Sequence, residues 1–380
     1  MITVSAGLAQ VEVGESAISL VEGDMGRLSY RGIPIETLVE WNFLKVAYLV
    51  ITAEHASANN LCAFETSLHQ SARLNREEVE LISMLAKLTY MHPMQVLQSI
   101  TPALDTRSAL EIFPSFEPEL ARGMMLAAKL PNSIALLRNL RMQIWSGNSA
   151  QLIQYLAATN DETNLNNQFL SHLNAGPVLA TQTEAFRACQ ILQLEHSFNA
   201  STFAARVVSS TLPPVANVLA AAFGTLHGPL HGGADQAALQ TAEKVGSPDK
   251  AAAFVDQCLA NGEKVMGMGH REYKIVDPRA IFLKDCAREL SKDTPYQVTF
   301  ETLQAIEKRF TERMQDKGKD LYANLEFYKG IVYRVIGLGP EYFTCGFAMA
   351  RVYGYLAHFS ESRINNTLIR PSVKYTGPVP

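Results

Sequence analysis

The stretch "FETLQAIEKRFTERMQDKGK" (residues 300–319) decides the fold class, because its apolar residues recur at the spacing of a helix. Steps of three and four residues separate Leu303, Ile306, Phe310 and Met314. Charged residues fill the other faces, as in an amphipathic helix. The segment from Val178 to Leu194 has the same period, and few alternating stretches follow residue 35. The sequence therefore predicts a mostly α-helical protein.

The N-terminal region is the exception to this helical pattern. "SAISLVEG" (16–23) and "RLSYRG" (27–32) are β-prone, and the turn residues "DMG" (24–26) separate them. This arrangement predicts a small N-terminal β-hairpin. The chain is expected to be helical from Pro34 onward.

Composition places the chain among ordinary globular proteins, with 47% hydrophobic and 18% charged residues. A length of 380 residues allows one large domain or two unequal ones. The net charge of −4 gives no support to nucleic-acid binding, and no apolar run is long enough for a membrane span. The N-terminus lacks the pattern of a secretory signal. Five scattered cysteines without a CxxC motif predict reduced thiols in a cytoplasmic protein.

Two histidines lie in the glycine-rich segment "FGTLHGPLHGGADQ" (223–236). The spacing of His227 and His231 is that of a zinc pair, but the glycine and proline between them prevent one helix from presenting both. We therefore favour a site without metal. His231 is predicted to precede a helix that begins at Ala234, where the helix N-terminus keeps an imidazole neutral and able to donate to an oxyanion. The alternative is a capping or core histidine.

A second glycine-rich segment, "GMGHREYKIVDPRA" (267–280), carries His270 nine residues before Arg279. Its first two glycines permit a close approach of the backbone to a ligand, as in phosphate-binding loops. His196, in "EHSFNAST" (195–202), is predicted to follow a helix. Taken singly, each of these histidines is more often a structural residue than a catalyst.

Arginines near the C-terminus add positive charge. Arg351 lies in the apolar segment "FAMARVYGYLAH" (347–358), where an unpaired guanidinium would be costly, and Arg370 precedes a proline near the end. Together with Arg279 they could bind two or three carboxylates in a bidentate manner. A structural salt bridge is the alternative for each. The residues alone indicate acid–base catalysis on a small polycarboxylate.

The segment "YANLEFYKG" (322–330) holds one carboxylate, Glu326, between apolar neighbours. A flanking asparagine and the later Gly330 predict a turn rather than a regular surface helix. Glu326 is then either solvated on a loop or partly buried with a raised pKa, as a general base near neutral pH would be.

Taken in order, these blocks resemble the citrate synthase family, which includes citrate synthases and 2-methylcitrate synthases. "GPLHGG", "GHREYKIVDPRA", "FAMARVYGYLAH" and "LIRPSVKYTG" resemble family blocks, as do "ESAISLVEGDMGRLSYRG", "HPMQVL" and "NASTFAARV" nearer the N-terminus. The resemblance covers nearly the whole chain. The length is similar to that of the compact bacterial and archaeal members.

The resemblance implies a mostly α-helical, two-domain fold and a homodimer with composite active sites, or a higher oligomer. Residues 1–221 and 332–380 would form a large domain with the dimer interface and the oxaloacetate side. Residues 222–331 would form a small domain on the CoA side. The cleft between them would close over oxaloacetate before acetyl-CoA binds, which keeps water from the thioester.

The family's site residues carry over to matching positions. His231 would stabilise the enol of acetyl-CoA, His270 would polarise the oxaloacetate carbonyl, and Glu326 would be the catalytic base. The oxaloacetate ligands would be His196, Arg279, Phe347, Arg351 and, from the partner subunit, Arg370. The CoA contacts would be Gly267, Met268, Gly269, Lys274, Lys317 and Lys319. Acetyl-CoA would be a co-substrate, with no metal and no permanently bound cofactor.

The chain departs from the family pattern mainly at its acidic positions. Glu326 replaces the usual aspartate, and Glu195 and Ser197 stand where aspartate and glutamate are expected. "GGADQ" replaces "GGANE", which puts Asp235 in place of asparagine. Three interpretations stay open: a citrate synthase, a 2-methylcitrate synthase that uses propionyl-CoA, or a weakened or inactive relative with a binding or assembly role.

Overall fold

The computed structural model describes residues 6–8, 11–157, 164–173, 178–270 and 272–378. Within these ranges the chain forms 18 α-helices and one small sheet, so the prediction of a mostly α-helical fold is confirmed. None of the helices described is both long and apolar enough to cross a lipid bilayer.

The helices and short 3₁₀ turns are numbered along the chain. The α-helices are α1 (Ile35–Leu38), α2 (Phe43–Thr52), α3 (Ala58–Ser71), α4 (Arg76–Ala86), α5 (Pro93–Ile100), α6 (Ala109–Ile112), α7 (Pro118–Arg141), α8 (Ser149–Ala157), α9 (Leu165–Leu173), α10 (Ala180–Leu194), α11 (Ala200–Ser209), α12 (Val215–Leu226), α13 (Ala234–Val245), α14 (Ala251–Ala260), α15 (Pro278–Ser291), α16 (Gln297–Gln315), α17 (Leu325–Val335) and α18 (Phe343–Ile364). The 3₁₀ turns cover Ala6–Leu8, Thr101–Ala103, Pro248–Lys250 and Pro340–Tyr342.

The N-terminal sheet is an antiparallel meander. Its strands, in spatial as well as chain order, are β1 (Ser19–Glu22), β2 (Arg27–Tyr30) and β3 (Ile33–Pro34). The predicted hairpin is present, and a two-residue third strand extends it. The buried Tyr30 hydroxyl donates to the carbonyl oxygens of Ile191 and Glu195, at 3.1 and 2.9 Å. The sheet thereby docks on the C-terminal end of α10.

Helix α16 contains the stretch that predicted the helical fold. The four residues of its predicted stripe, Leu303, Ile306, Phe310 and Met314, are all buried, as are Phe300 and Thr302. The helix ends at Gln315, and Gly318 just beyond it has a positive φ of 66°.

Two long helices, α7 and α18, form the centre of the molecule and pack against each other. Buried residues continue around both helices, and every residue from Phe343 to Phe359 in α18 is buried. Such a helix needs neighbours on all sides. Helices α10, α11 and α12 are among those that cover α18.

Helices α13 to α17 pack extensively among themselves: α13 on α16 and α17, α14 on α16, and α15 on α17. Both α15 and α17 also contact α10. The domain boundaries expected at 222 and 331 fall inside α12 and α17. The division into a large and a small domain stays a prediction.

The turn predicted for residues 324–330 is wrong, because the segment begins α17. Asn324 acts as its N-cap: the side-chain oxygen accepts a hydrogen bond from the Glu326 amide at 3.1 Å. Asparagine thus starts the helix rather than breaking it. Gly330 lies inside the helix, where it faces α13. A Cβ at this position would lie 3.2 Å from the Asp235 carbonyl oxygen, which explains why the residue is glycine. This glycine permits close packing against α13.

Candidate active site

The glycine loop before His270 is tied to the start of α17. The amide of Gly269 donates to the Tyr322 carbonyl at 2.7 Å, and the Asn324 amide donates to the Gly267 carbonyl at 3.0 Å. Gly267 has φ of 80°, and a Cβ there would lie 2.7 Å from Cδ2 of Phe327. The glycine is therefore required by internal packing, in addition to any approach of a ligand.

His270 and Arg279 present two hydrogen-bond donors side by side. The Nδ1 atom of His270 accepts from the amides of Glu272 and Tyr273, at 3.0 and 3.2 Å. In the neutral ring the proton is therefore on Nε2, which lies 3.5 Å from Nη2 of Arg279. Since neither group can accept from the other, both can donate to one oxygen of a bound ligand.

The buried Arg279 guanidinium is held by Asp277, which also caps α15. Nε and Nη2 donate to the two carboxylate oxygens at 3.0 and 2.8 Å, in a bidentate pair. Burial and the charge of Arg279 lower the pKa of His270, although Asp277 and Glu326 oppose this effect. The ring is thus neutral at physiological pH.

His196 follows α10 as predicted and is buried beside this pair. Its Nε2 lies 3.2 Å from the hydroxyl oxygen of Tyr273, and its ring centroid lies 5.5 Å from that of His270. Burial, reinforced by the charge of Arg279, lowers the pKa of His196 well below its ordinary value. His196 therefore enters the cluster as a neutral ring.

Glu195, one of the altered acids, is fully buried next to His196. One carboxylate oxygen accepts from the Ser19 hydroxyl and lies 3.0 Å from Nε2 of His358. Burial raises the pKa of Glu195, but its interactions with His358, Arg351 and Ser19 outweigh burial and lower it overall. This carboxylate anchors the segment that carries His196 rather than entering the cluster itself.

His231 precedes α13 as predicted, with Gly233 as the N-cap. Its Nε2 lies 2.7 Å from Oγ of Ser201, which also receives a hydrogen bond from the Tyr355 hydroxyl. Burial, followed by the charge of Arg351, lowers the pKa of His231 to about 4. The ring is therefore neutral at physiological pH.

Phe347 and Arg351 lie on the same face of α18 at this site. The guanidinium carbon of Arg351 is 4.9 Å from the centroid of the Phe347 ring, and the His231 ring contacts the same phenyl group. Nε of Arg351 donates to the Gln193 carbonyl at 2.6 Å. Its Nη1 is buried without a hydrogen-bond partner among the described residues. An anionic ligand could satisfy this group.

Glu326 lies in the first turn of α17 and is half-buried. Its negative charge raises the pKa of both His231 and His270, against the stronger effect of burial. It also acts on Arg279. The carboxylate is therefore near both histidines, although no contact distance of hydrogen-bond length joins them within the described residues.

Four candidate residues do not join this cluster within one chain. Arg370 is exposed in the C-terminal segment beyond α18, as a residue directed at a partner subunit would be. Lys317 and Lys319 are exposed just after α16, and Lys274 forms an exposed ion pair with Asp24 at 2.7 Å. Their expected contacts with CoA and with the partner stay predictions.

Sequence reasoning missed several partners of these residues: Ser201, Tyr273, Asp277, Lys329 and Tyr355. All five lie in segments quoted above, but none of them was singled out. A lysine within the apolar segment "EFYKGIVY" was a signal, because a buried lysine needs a partner. Within the described ranges, no group of three or more histidine, cysteine or acidic side chains could hold a metal ion.

Comparisons with known proteins show the family to which the chain belongs. The family model described as "Citrate synthase, C-terminal domain" matches residues 7–372. The citrate synthase of Synechocystis is 37% identical over 98% of this chain and 90% of its own length. The 2-methylcitrate synthase of Shewanella oneidensis is 32% identical over 99% of this chain and 95% of its own length.

A solved structure gives the same result for the fold. The crystal structure of citrate synthase from Thermotoga maritima superposes with a TM-score of 0.83 at 30% identity, over 100% of this chain and 97% of the other. The match in sequence and the match in fold both span essentially the full chain. The protein therefore belongs to the citrate synthase family of acyltransferases.

Proposed function

We propose that the protein catalyses the condensation of acetyl-CoA with oxaloacetate and the hydrolysis of citryl-CoA to citrate and CoA. One observation carries the proposal: two buried guanidiniums and three neutral histidines lie in one cluster with a half-buried carboxylate, Glu326, whose charge acts on His231, His270 and Arg279. Two guanidiniums held in place can bind the two carboxylates of a dicarboxylate. Neutral imidazoles can donate hydrogen bonds to oxyanions that develop during a reaction. Citrate production would suit a role in the tricarboxylic acid cycle.

Oxaloacetate would bind through the two arginines. Arg279 keeps its Asp277 partner and offers its remaining N–H groups, whereas the unpartnered Nη1 of Arg351 would gain a charge-assisted hydrogen bond. Nε2–H of His270, beside Arg279, would donate to the ketone oxygen and polarise that carbonyl. His196 and Phe347 would complete the binding site, and Arg370 would come from the partner subunit of a homodimer.

The reaction would begin when Glu326 removes a proton from the methyl group of acetyl-CoA. Neutral His231 would donate a hydrogen bond to the enolising thioester oxygen. For this role the ring proton of His231 must be on Nδ1, so the hydroxyl hydrogen of Ser201 would have to turn from Oδ1 of Asn199, 2.8 Å away, to Nε2 of His231. The nucleophilic carbon would then attack the polarised ketone to form the new C–C bond, and water would cleave the thioester of citryl-CoA.

The CoA side of the site is inferred from the exposed residues around the glycine loop. Gly267, Met268 and Gly269 would contact the CoA chain. Lys274, Lys317 and Lys319 would neutralise its phosphates, since lysine serves as a point charge in phosphate binding. All five cysteines are free thiols, which supports the proposed cytoplasmic location.

A second candidate is 2-methylcitrate synthesis from propionyl-CoA. A named 2-methylcitrate synthase from Corynebacterium glutamicum is 33% identical over 98% of the chain, within a few percent of the citrate synthases. One extra methylene in a pocket is discriminated by only about 1–3 kcal/mol. The ratio of kcat/KM for acetyl-CoA and propionyl-CoA decides between the two activities, and we expect it to favour acetyl-CoA.

The test is thiol release by the purified protein. We expect free CoA to appear from acetyl-CoA only when oxaloacetate is present, in a 1:1 ratio with citrate, as the chemistry requires. Release without oxaloacetate would indicate a thioesterase. Calorimetric binding of oxaloacetate without turnover of either acyl-CoA would instead support the inactive, binding relative.

A further inference from the structure

Asp235 and Lys329 form a fully buried ion pair. They lie close in sequence to His231 and Glu326, the two groups proposed to enolise the acyl-CoA. We propose that Asp235 and Lys329 are a positioning pair that holds Glu326 and His231 at their working separation. The inference rests on the proposed function, because it assigns a role in that reaction. Neither residue is expected to touch a substrate.

The pair joins α17, which carries Glu326, to α13, which begins just after His231. Lys329 is three residues after Glu326 in α17, and Asp235 is four residues after His231 at the start of α13. Nζ of Lys329 lies 3.2 Å from a carboxylate oxygen of Asp235, and both side chains have 0% exposure. Nζ also donates to the side-chain oxygen of Gln193 in α10, at 3.1 Å. Three helices are thus linked at one ammonium group.

Helices α13 and α17 also approach each other closely next to this ion pair. A Cβ on Gly330 would lie 3.1 Å from Cβ of Leu239 and 3.2 Å from the Asp235 carbonyl oxygen. The pair therefore spans the point where α13 and α17 come together. A change in its length would tilt or shift one helix against the other, and with it Glu326 against His231.

Lys329 also contacts the ring of Phe347, which connects the pair to the candidate oxaloacetate site. Its Nζ lies 4.2 Å from the ring centroid, and Arg351 contacts the same ring at 4.9 Å. Two cations on one ring would repel each other unless one were neutralised. Asp235 neutralises Lys329, which leaves Arg351 free to bind an anionic ligand.

A buried ion pair contributes little to the free energy of unfolding, but it can fix the relative position of the two elements that it joins. Desolvation offsets most of the attraction between the charges, so neutral replacements of similar volume often leave stability unchanged or increase it. The ionic contact between the two helices is lost, however, and a misplacement of about 1 Å can reduce a catalytic rate about 10²-fold. Neutral replacement of the pair should therefore lower kcat while it leaves the stability of the fold unchanged or higher.

The decisive variant is D235N/K329M, which removes both charges without leaving either one unpaired. We expect kcat with acetyl-CoA to fall about 10²-fold, while KM for oxaloacetate stays within about threefold. Arg279 and Arg351 keep their own partners, Asp277 and the Gln193 carbonyl. The midpoint of thermal unfolding should be unchanged or higher. A second variant, D235N/K329Q, retains two side chains that can hydrogen-bond and should lose about tenfold in kcat.

The buried ion pair of Glu78 and Lys129 provides a matched control. Its charged groups are 2.6 Å apart, and both side chains are 3% exposed or less. The pair joins α4 and α7, away from the candidate site. E78Q/K129M should keep kcat within about twofold of the wild type, because distant sites act independently. Wild-type kcat in both Asp235/Lys329 double variants, or an equal loss in the control, would overturn the inference. An inactive wild type would instead contradict the proposed function.

Discussion

Arg279 and Arg351 both bring a guanidinium into the interior, but their charges are balanced differently. Arg279 has the Asp277 carboxylate, and its pKa lies above the ordinary value because this partner outweighs the effect of burial. Arg351 is 2% exposed and contacts a carbonyl oxygen and an aromatic ring, and its Nη1 has no hydrogen-bond partner in the part of the chain that the structure describes. A buried cation is stabilised by an anionic partner. Arg351 therefore gains most from a bound carboxylate.

Glu326 is one methylene longer than the aspartate that the family pattern has at this position. Its backbone is fixed by the Asn324 cap and by the bridge between Met268 and Ala323. We expect E326D to withdraw the carboxylate by about 1 Å and to lower kcat about 10²-fold with little change in KM for oxaloacetate. Steady-state kinetics check this expectation. A rise in kcat would mean that the wild-type base is imperfectly placed.

At the scale of elements, the loop of residues 267–269 and the start of α17 behave as one unit. We expect G267A to destabilise the protein by about 1–3 kcal/mol, because alanine is strained at positive φ and its Cβ would meet Phe327. The displaced α17 should also lower kcat. Urea unfolding and steady-state kinetics measure the two effects.

Gly262 provides the control for this substitution. It also has a positive φ, 72°, but an added Cβ would meet no atom of the described residues within 4 Å. G262A should therefore show only the backbone strain, about 1 kcal/mol, with kcat unchanged. Equal effects of the two substitutions would show that the contact with Phe327 does not position α17.

The elements show what a sequence can predict and what it cannot. The stripe of α16, the hairpin and the helix after His231 follow from local spacing, and they were predicted correctly. The start of α17 was not, because Asn324 and Gly330 are turn residues by composition but act here as a cap and a packing contact. The ion pair of Asp235 and Lys329 depends on two helices meeting, and no local pattern encodes that contact.

At the scale of the whole molecule, buried neutral histidines link stability to pH. Burial lowers the pKa of His172 and of His231 from an ordinary 6.5 to about 4, so the folded state binds fewer protons than the unfolded state below pH 6.5. Their contribution is complete above pH 6.5 and is lost as pH falls toward 4. Each unit of pKa difference corresponds to about 1.4 kcal/mol.

Urea unfolding at a series of pH values from 8 to about 4.5 measures this linkage. We expect a plateau at the alkaline end and a steady decrease in the free energy of unfolding below pH 6.5. Carboxyl groups with lowered pKa, such as Asp105, lose their contribution only at still lower pH. A free energy of unfolding that stays constant down to pH 4.5 would contradict the burial of neutral imidazoles.

The proposed homodimer with composite sites can be tested with hybrid dimers. R370A and E326Q should each be inactive alone, but a dimer of one R370A and one E326Q chain contains one intact site. Random mixing should therefore restore about a quarter of wild-type activity, since half of the dimers are hybrids with one active site of two. No recovery after verified subunit exchange would place Arg370 outside the partner's site.

The central claim is that Glu326 removes a proton from the acyl-CoA methyl group within a site organised by a bound dicarboxylate. The most direct measurement is deuterium exchange into that methyl group, followed by NMR in D₂O with malate, which cannot condense. We expect the wild type to exchange the methyl hydrogens of acetyl-CoA only when malate is present. E326Q should exchange them at least about 10²-fold more slowly. Equal exchange by E326Q, or none by the wild type, would contradict the claim.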